Sequence, residues 1–224
     1  MNMKFLQELT EDIQYLKEDK EGTASLYLTG PFAQAEIANR NKRIYRMPIL
    51  EKEINRYKTE NVQTNRAVGE LGHPQGPNIN LDRVCLSIKE LNRDGNNFMG
   101  KALVTNTPMG KIVSGLISDG VKLGVSTRAL GSLKPLKDGI NEVQDDLRLL
   151  AIDVVADPSA PDAFVAGLFE GRSYIWDNTS SVWVEQTLDR TKKELKTMSV
   201  KDIENNKIRL FEQFLQSLSA NKHK

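Results

Sequence analysis

The sequence predicts an α+β fold, and three observations carry that expectation. Several segments alternate apolar and polar residues with period two, RVCLSIKEL (83–91) and FMGKALVT (98–105) most clearly. Two others, Met47 to Lys58 and Pro108 to Asp119, repeat apolar residues at helical spacing, each with a proline suited to a first turn. Past about Gly171 the sequence turns charged and helical in period, so residues 1–170 are expected to form a body and 171–224 a helical appendage.

The elements follow in order. Residues 1–20 place Phe5, Leu6, Leu9, Ile13 and Leu16 on one face of a short amphipathic helix. SLYLTGPFAQAEIANRNKRIY (25–45) is rich in β-branched and aromatic residues, and Gly30-Pro31 is expected to break it into two strands around a turn. In Met47 to Lys58, Ile49, Leu50, Ile54 and Tyr57 share a helical face. GELGHPQGPN (69–78) is a Gly/Pro loop. RVCLSIKEL and FMGKALVT flank Asp94-Gly95, a hairpin signal. Pro108 to Asp119 turns Ile112, Val113, Leu116 and Ile117 inward as a helix, and KLGVSTRAL (122–130) and DLRLLAIDVVA (146–156) are further strands. DPSAPDA (157–163) breaks the pattern. WVEQTLDRTKKELKTM (183–198) and VKDIENNKIRLFEQFLQSL (200–218) are expected helices, the second capped by Ser199.

Bulk composition excludes several functions. Thirty-one basic against 30 acidic residues leave a net charge of +1, too little to draw nucleic acid or an anionic membrane over a distance. No apolar run approaches the roughly 20 residues of a spanning helix, and the charged N-terminus is not a secretory signal. The single cysteine, Cys85, rules out an intramolecular disulfide and fits a reducing compartment. Its place in an alternating strand marks it as a packing residue. One Cys and one well-placed His cannot build a zinc site, so no metal or cofactor is expected. TNTPMGKI (105–112) resembles the end of a phosphate-binding loop but has Ile112 where Ser or Thr is required.

Acyl transfer survives this filter. GVSTRALGSL (124–133) carries Ser126, either a nucleophile or the solvated hydroxyl of a small-residue turn. A serine nucleophile needs a base, most often an imidazole. Of the two histidines, His223 lies next to the C-terminus, whereas His73 lies in the Gly/Pro loop, so a Ser–His mechanism would use His73. Asp153 interrupts an otherwise apolar strand, where a carboxylate must be paired or hydrogen-bonded. Orienting an imidazole would satisfy it, and so would a place at a solvent-facing sheet edge. Asp157 and Asp82 are weaker alternatives. Arg128, close after Ser126, is a candidate to fix that loop or to bind an acidic substrate residue.

Four segments in order, AEIANRNKRIY (35–45), GELGHP (69–74), GVSTRALGSL (124–133) and IDVVADPSAPDAFV (152–165), resemble the prohead core proteases of T-even-like tailed phages, which are related to the herpesvirus assemblins. The resemblance covers about residues 25 to 165. It implies a mixed, mostly antiparallel barrel-like sheet with peripheral helices. It also implies a serine endopeptidase with His73 in Gly-Glu-Leu-x-His-Pro, the nucleophile Ser126 in Gly-Val-Ser, and Asp153 as the matching aspartate. Gly72 replaces a polar residue, and Thr127-Arg128-Ala129 stands where relatives have Ser-Arg-Gly; neither departure touches a proposed catalytic atom.

The family is expected to cut after Leu/Ile-x-Glu before a small residue. Among several such triplets here, Leu168-Phe169-Glu170 is followed by Gly171, at the boundary between body and appendage, so self-cleavage between Glu170 and Gly171 is expected. The resemblance further implies scaffold, core and capsid proteins as substrates and action inside the prohead in the host cytoplasm; a homo-oligomer is expected, and the charge balance and composition predict no nucleic-acid or membrane partner. A non-catalytic prohead scaffold protein sharing the fold is the competing class, and a structural tube-like protein sharing the sheet is a weaker third.

Overall fold

The computed structural model describes residues 3–10, 12–20, 23–72, 74, 76–156, 173–177 and 181–185. The chain divides into two compact units, Met1–Gly171 and Arg172–Lys224, each described by itself.

The first unit is α+β, with strands mostly antiparallel. β1 (Met3–Thr10), β8 (Leu123–Gly131) and β11 (Arg148–Ala156) lie in the order β11-β8-β1. A second sheet orders β2 (Gln14–Lys20), β3 (Thr23–Gln34), β7 (Asn97–Val104), β6 (Val84–Asp94) and β5 (Val68–Glu70) as β2-β3-β7-β6-β5. A small third sheet joins β4 (Arg43–Ile44) in parallel to β10 (Asn141–Val143), which pairs antiparallel with β9 (Leu133–Pro135).

The expected barrel does not close. Among the described residues the first two sheets meet through the isolated parallel bridge Leu71–Val154, with Gly72 N–H donating to Val154 O at 2.7 Å. β5 is three residues long, so this seam cannot extend into a ladder. It is also tight, since a Cβ on Gly69 would sit 1.8 Å from Ile152 O. Leu28, Phe32, Leu86, Ile88, Leu91 and Phe98 of the second sheet pack with Val125, Ile152 and Val154 of the first in one core.

Two helices cover this core among the described residues. α1 (Met47–Tyr57) buries Leu50, Glu53, Ile54 and Tyr57, with proline in its first turn as expected. Its N-terminus is capped from a distance, Met47 N–H donating to Glu36 Oε1 at 2.6 Å. α2 (Pro108–Ser118) is capped by Thr107, whose Oγ1 accepts from Gly110 N–H at 3.1 Å. Val113 points inward and Leu116 and Ile117 pack against the core, but Ile112, expected inside, is 47% exposed.

Two local readings are corrected. In the segment 1–20 expected as a helix, Met3–Thr10 form β1 and Gln14–Lys20 form β2. Phe5 and Leu6 are adjacent and both fully buried, because β1 is covered on both faces, and a strand so placed loses its alternation. Gly30-Pro31 does not end a strand either; it lies within β3 beside a bulge between Pro31 and Ala33. Gly30, at φ 153°, lets the Asp12 carbonyl approach to where a Cβ would stand 2.3 Å away.

In the second unit, β12 (Ser173–Asp177) and β13 (Val182–Glu185) form an antiparallel pair. Trp176 and Trp183 face each other across it, edge to face, with centroids 5.4 Å apart. Trp183 to Glu185 are therefore strand, not the start of a helix. The remainder of the expected helical appendage, from residue 186, lies outside the described residues.

Candidate active site

Every residue of β8 is buried, because β1 pairs with one edge and β11 with the other. The register sets Ser126 opposite Leu9 on β1 and opposite Asp153 on β11. Alternation along a strand then puts Ser126, Arg128, Asp153, Gln7 and Leu9 on one face of the sheet. Ser126 is 1% exposed, and its Oγ has no hydrogen-bond partner among the described residues. It is a mid-strand hydroxyl shut from water, not the solvated turn that Gly and Ser alone suggested.

Arg128 is the centre of the polar network on this face. Its Nε donates to Asp153 Oδ2 at 3.0 Å, and Nη2 donates to Asp153 Oδ1 at 3.0 Å and to Glu70 Oε1 at 2.9 Å. Nη1 donates to the carbonyls of Gly76 (3.1 Å) and Asn78 (2.8 Å). These bonds use the full guanidinium inventory of five N–H groups. All three ionised side chains are fully buried. Glu70 accepts from Asn80 N–H at 3.0 Å and from Asn80 Nδ2 at 3.2 Å, and Arg83 Nε lies 3.6 Å from its Oε2 at the rim. One arginine thus ties β8 to β11, to the end of β5 and to both carbonyls of the loop at 76–78.

That loop carries His73. Its entrance is fixed by the Gly72–Val154 bond and by Arg83 Nη2 donating to Leu71 O at 2.6 Å, and its exit by Arg128 and Glu70. His73 itself lies outside the described residues, as do Glu170 and Gly171. Asp153 gives its oxygens to Arg128 and to Glu70 N–H, which donates to Oδ1 at 2.9 Å. Burial pushes its carboxyl up to about 6 against the pull of Arg128, so it is ionised at neutral pH. Burial likewise pushes the Cys85 thiol up to about 12, which makes it a packing residue without nucleophilic character.

Sequence reasoning singled out Ser126, Arg128 and Asp153, and the fold brings these three together. It missed Glu70 and Gln7. Glu70 was visible as the acidic residue of Gly-Glu-Leu-x-His-Pro, but nothing in a short strand announces burial. A second network was also missed. Asn39 Nδ2 (2.6 Å), Asn41 Nδ2 (2.9 Å), Arg43 Nη1 (2.8 Å) and Tyr45 OH (2.7 Å) all donate to the Glu8 carboxylate of β1. The segment AEIANRNKRIY is in this respect a cage that locks β1 beside β8.

A family model described as the prohead core protein serine protease matches residues 9–172, spanning β8, β11 and the loop between β5 and β6. The chain belongs to this family. It is 39% identical over 144 residues to the prohead core protein protease of Enterobacteria phage T4, covering 62% of this chain and 68% of that protein. The solved structure of the bacteriophage T4 capsid assembly protease superposes with a TM-score of 0.66 at 32% identity, covering 70% of this chain and 99% of that one. The matched relatives are named as proteases, and protease activity is what this family membership supports. Gln7 falls just outside the matched span.

Proposed function

We propose that this chain is the capsid maturation protease of a tailed phage, a serine endopeptidase in which Ser126 is the nucleophile and His73 the general base. The observation that carries the reading is the unpartnered, buried Oγ of Ser126 on the sheet face that Arg128 fastens to the His73 loop. Ser126 Oγ attacks the scissile carbonyl carbon and passes its proton to His73. The carbonyl π electrons move onto oxygen, and the tetrahedral adduct collapses as the C–N bond breaks and His73 protonates the leaving amine. Water repeats the cycle on the acyl-enzyme. Asp153, the expected third member of a triad, engages Arg128 and Glu70 N–H, and this supports a positioning role for it. The same bonds support a positioning role for Arg128 in place of direct substrate binding.

The substrates under this reading are core, scaffold and capsid proteins within the prohead in the host cell, cut after Leu/Ile-x-Glu. The chain also processes itself between Glu170 and Gly171, releasing residues 171–224. Intact mass of the purified chain against Ser126→Ala, both incubated at neutral pH, tests this directly. Loss of residues 171–224 from the wild type alone supports nucleophile, specificity and self-processing together. If neither is cut, and a peptide spanning Leu168 to Arg172 also stays whole, a non-catalytic scaffold protein is the better account.

A further inference from the structure

A tetrahedral adduct on Ser126 needs hydrogen-bond donors for its oxyanion, and the strand that carries Ser126 has none to give. β8 is paired on both edges here: Leu9–Ser126–Asp153 and Glu8–Thr127–Ile152 lie in unbroken register, clear of the bulge between Leu149 and Ala151. The N–H groups of Ser126 and Thr127 are therefore taken up by the two ladders. Arg128, two residues on and on the same face, has each of its donors in a bond to Asp153, Glu70, Gly76 or Asn78. Asp153 is an anion, and Leu9 is apolar.

Gln7 remains. It stands directly opposite Arg128 on β1, and so diagonal to Ser126 on the same face. Such diagonal positions are within reach of a long side chain. Gln7 is 5% exposed, and its Nε2 has no hydrogen-bond partner among the described residues. A buried amide donor left unused calls for an explanation, and a catalytic role is one of the few available. Its main chain is fixed: Gln7 O accepts from Asn41 Nδ2 at 2.9 Å and from Arg43 Nη1 at 3.4 Å, so the amide is presented from a braced strand. Among the described residues, Ser126 Oγ and Gln7 Nε2 are the unpaired buried side-chain polar atoms carried by this sheet, on one face of it and both closed to solvent.

We infer that Gln7 is a catalytic residue of this protease, its Nε2–H donating a hydrogen bond to the oxyanion that forms when Ser126 attacks. The inference rests on Ser126 being the nucleophile. No covalent bond to Gln7 forms or breaks; the amide stabilises charge that appears only in the transition state.

The test uses the full chain and a fluorophosphonate probe, which needs no knowledge of sequence specificity. Ser126 Oγ attacks phosphorus, the P–O bond forms, fluoride leaves, His73 takes the hydroxyl proton, and the phosphoryl oxygen occupies the place of the oxyanion. Labelling rates, with the label located by mass, are compared for wild type, Gln7→Met and Ser126→Ala. Methionine keeps the length and removes the donor. Gln7→Met should be labelled about 10²–10³-fold more slowly while melting at the wild-type temperature or above, because an unused buried donor has gone. Labelling within threefold of wild type, at Ser126, overturns the inference and leaves the nucleophile standing. A slow Gln7→Met that also melts several degrees lower assigns Gln7 to packing and overturns it as well. A wild type that takes no label at Ser126 overturns the nucleophile reading, and this inference with it.

Discussion

Arg128→Ala is the perturbation that most directly tests the account of the site. The guanidinium is fully buried between two fully buried carboxylates, Asp153 and Glu70. Its removal leaves both carboxylates in place; among the described residues the cation left near them is Arg83, 3.6 Å from Glu70 at the half-exposed rim, with the hydrogen bonds of Asn80 to Glu70 and of Glu70 N–H to Asp153. Stripping one partner from a buried ion pair costs about 3–5 kcal/mol, and for a body of this size that corresponds to a fall in Tm of roughly 6–20 °C. Gly76 and Asn78 lose their donors too, but loop carbonyls can turn to water and add little. The variant has a signature that plain cavity formation lacks. Asp153 is already raised to about 6 by burial with Arg128 pulling it down, so without Arg128 its folded-state pKa rises further, the folded variant binds a proton that the unfolded chain does not, and it gains stability as pH falls. The wild-type-minus-variant difference should therefore shrink between pH 8 and pH 5.5. Urea unfolding followed by far-UV circular dichroism at both values measures it. A loss below about 1 kcal/mol at pH 8, or a difference that does not change with pH, would refute the reasoning.

Three further outcomes are expected. Gly69→Ala places a Cβ 1.8 Å from Ile152 O, backbone against backbone, so β5 must lift from β11; overpacking of this kind costs about 1–3 kcal/mol, and the cleavage rate should fall with it because the His73 loop begins three residues on. Asp153 has its folded pKa raised to about 6 by burial, so the ionised form costs stability above that pH and the cost fades as pH falls toward 4; Asp153→Asn should abolish this component, seen in urea titrations as a wild-type-minus-variant difference that changes between pH 4 and 7. Cys85 is fully buried with its thiol pushed up to about 12, so a thiol reagent at pH 8 should leave the native chain unmodified and react stoichiometrically in denaturant; rapid native modification would contradict the burial.

Much of this arrangement was legible in the sequence, for reasons that differ by element. β6 and β7 announce themselves by alternation and by Asp94-Gly95, and the helices by proline in the first turn and a repeated apolar face. β1 could not be recognised, because Phe5 and Leu6 are buried on opposite faces of a strand covered on both sides, and that pattern fits a helix equally well. β4, β5, β9 and β10 are two or three residues long and exist only because other strands present edges to them. Asp153 was recognisable as a carboxylate needing a partner, yet the identity of the partner was not. An imidazole and a guanidinium satisfy it equally on paper, and the register Ser126–Asp153, with Arg128 two residues along, is what brings the guanidinium to it. Gln7 carries no sequence signal at all; its meaning comes from the strand it faces.

The same fold bears on the proposed self-cleavage, since Leu/Ile-x-Glu occurs several times but only some copies can be substrates. A protease needs an extended segment free of its own sheet, and such segments come from termini, loops or local unfolding. Leu6-Gln7-Glu8 is the middle of β1, with Leu6 fully buried and the Glu8 carboxylate held by Asn39, Asn41, Arg43 and Tyr45. Ile88-Lys89-Glu90 lies within β6, paired to β7, with Ile88 in the core. Opening either would cost most of the free energy of global unfolding, which makes cleavage there slow while the body is folded. These two triplets are also followed by leucine, Leu9 and Leu91, and not by a small residue, so the fold and the next residue both remove them from competition. If partial denaturation in urea, at concentrations that leave a second, folded protease molecule active, exposes cuts after Glu8 and Glu90, burial is what protects them in the folded body; if it exposes none, the leucine that follows each is enough to exclude them, and burial is not the deciding factor.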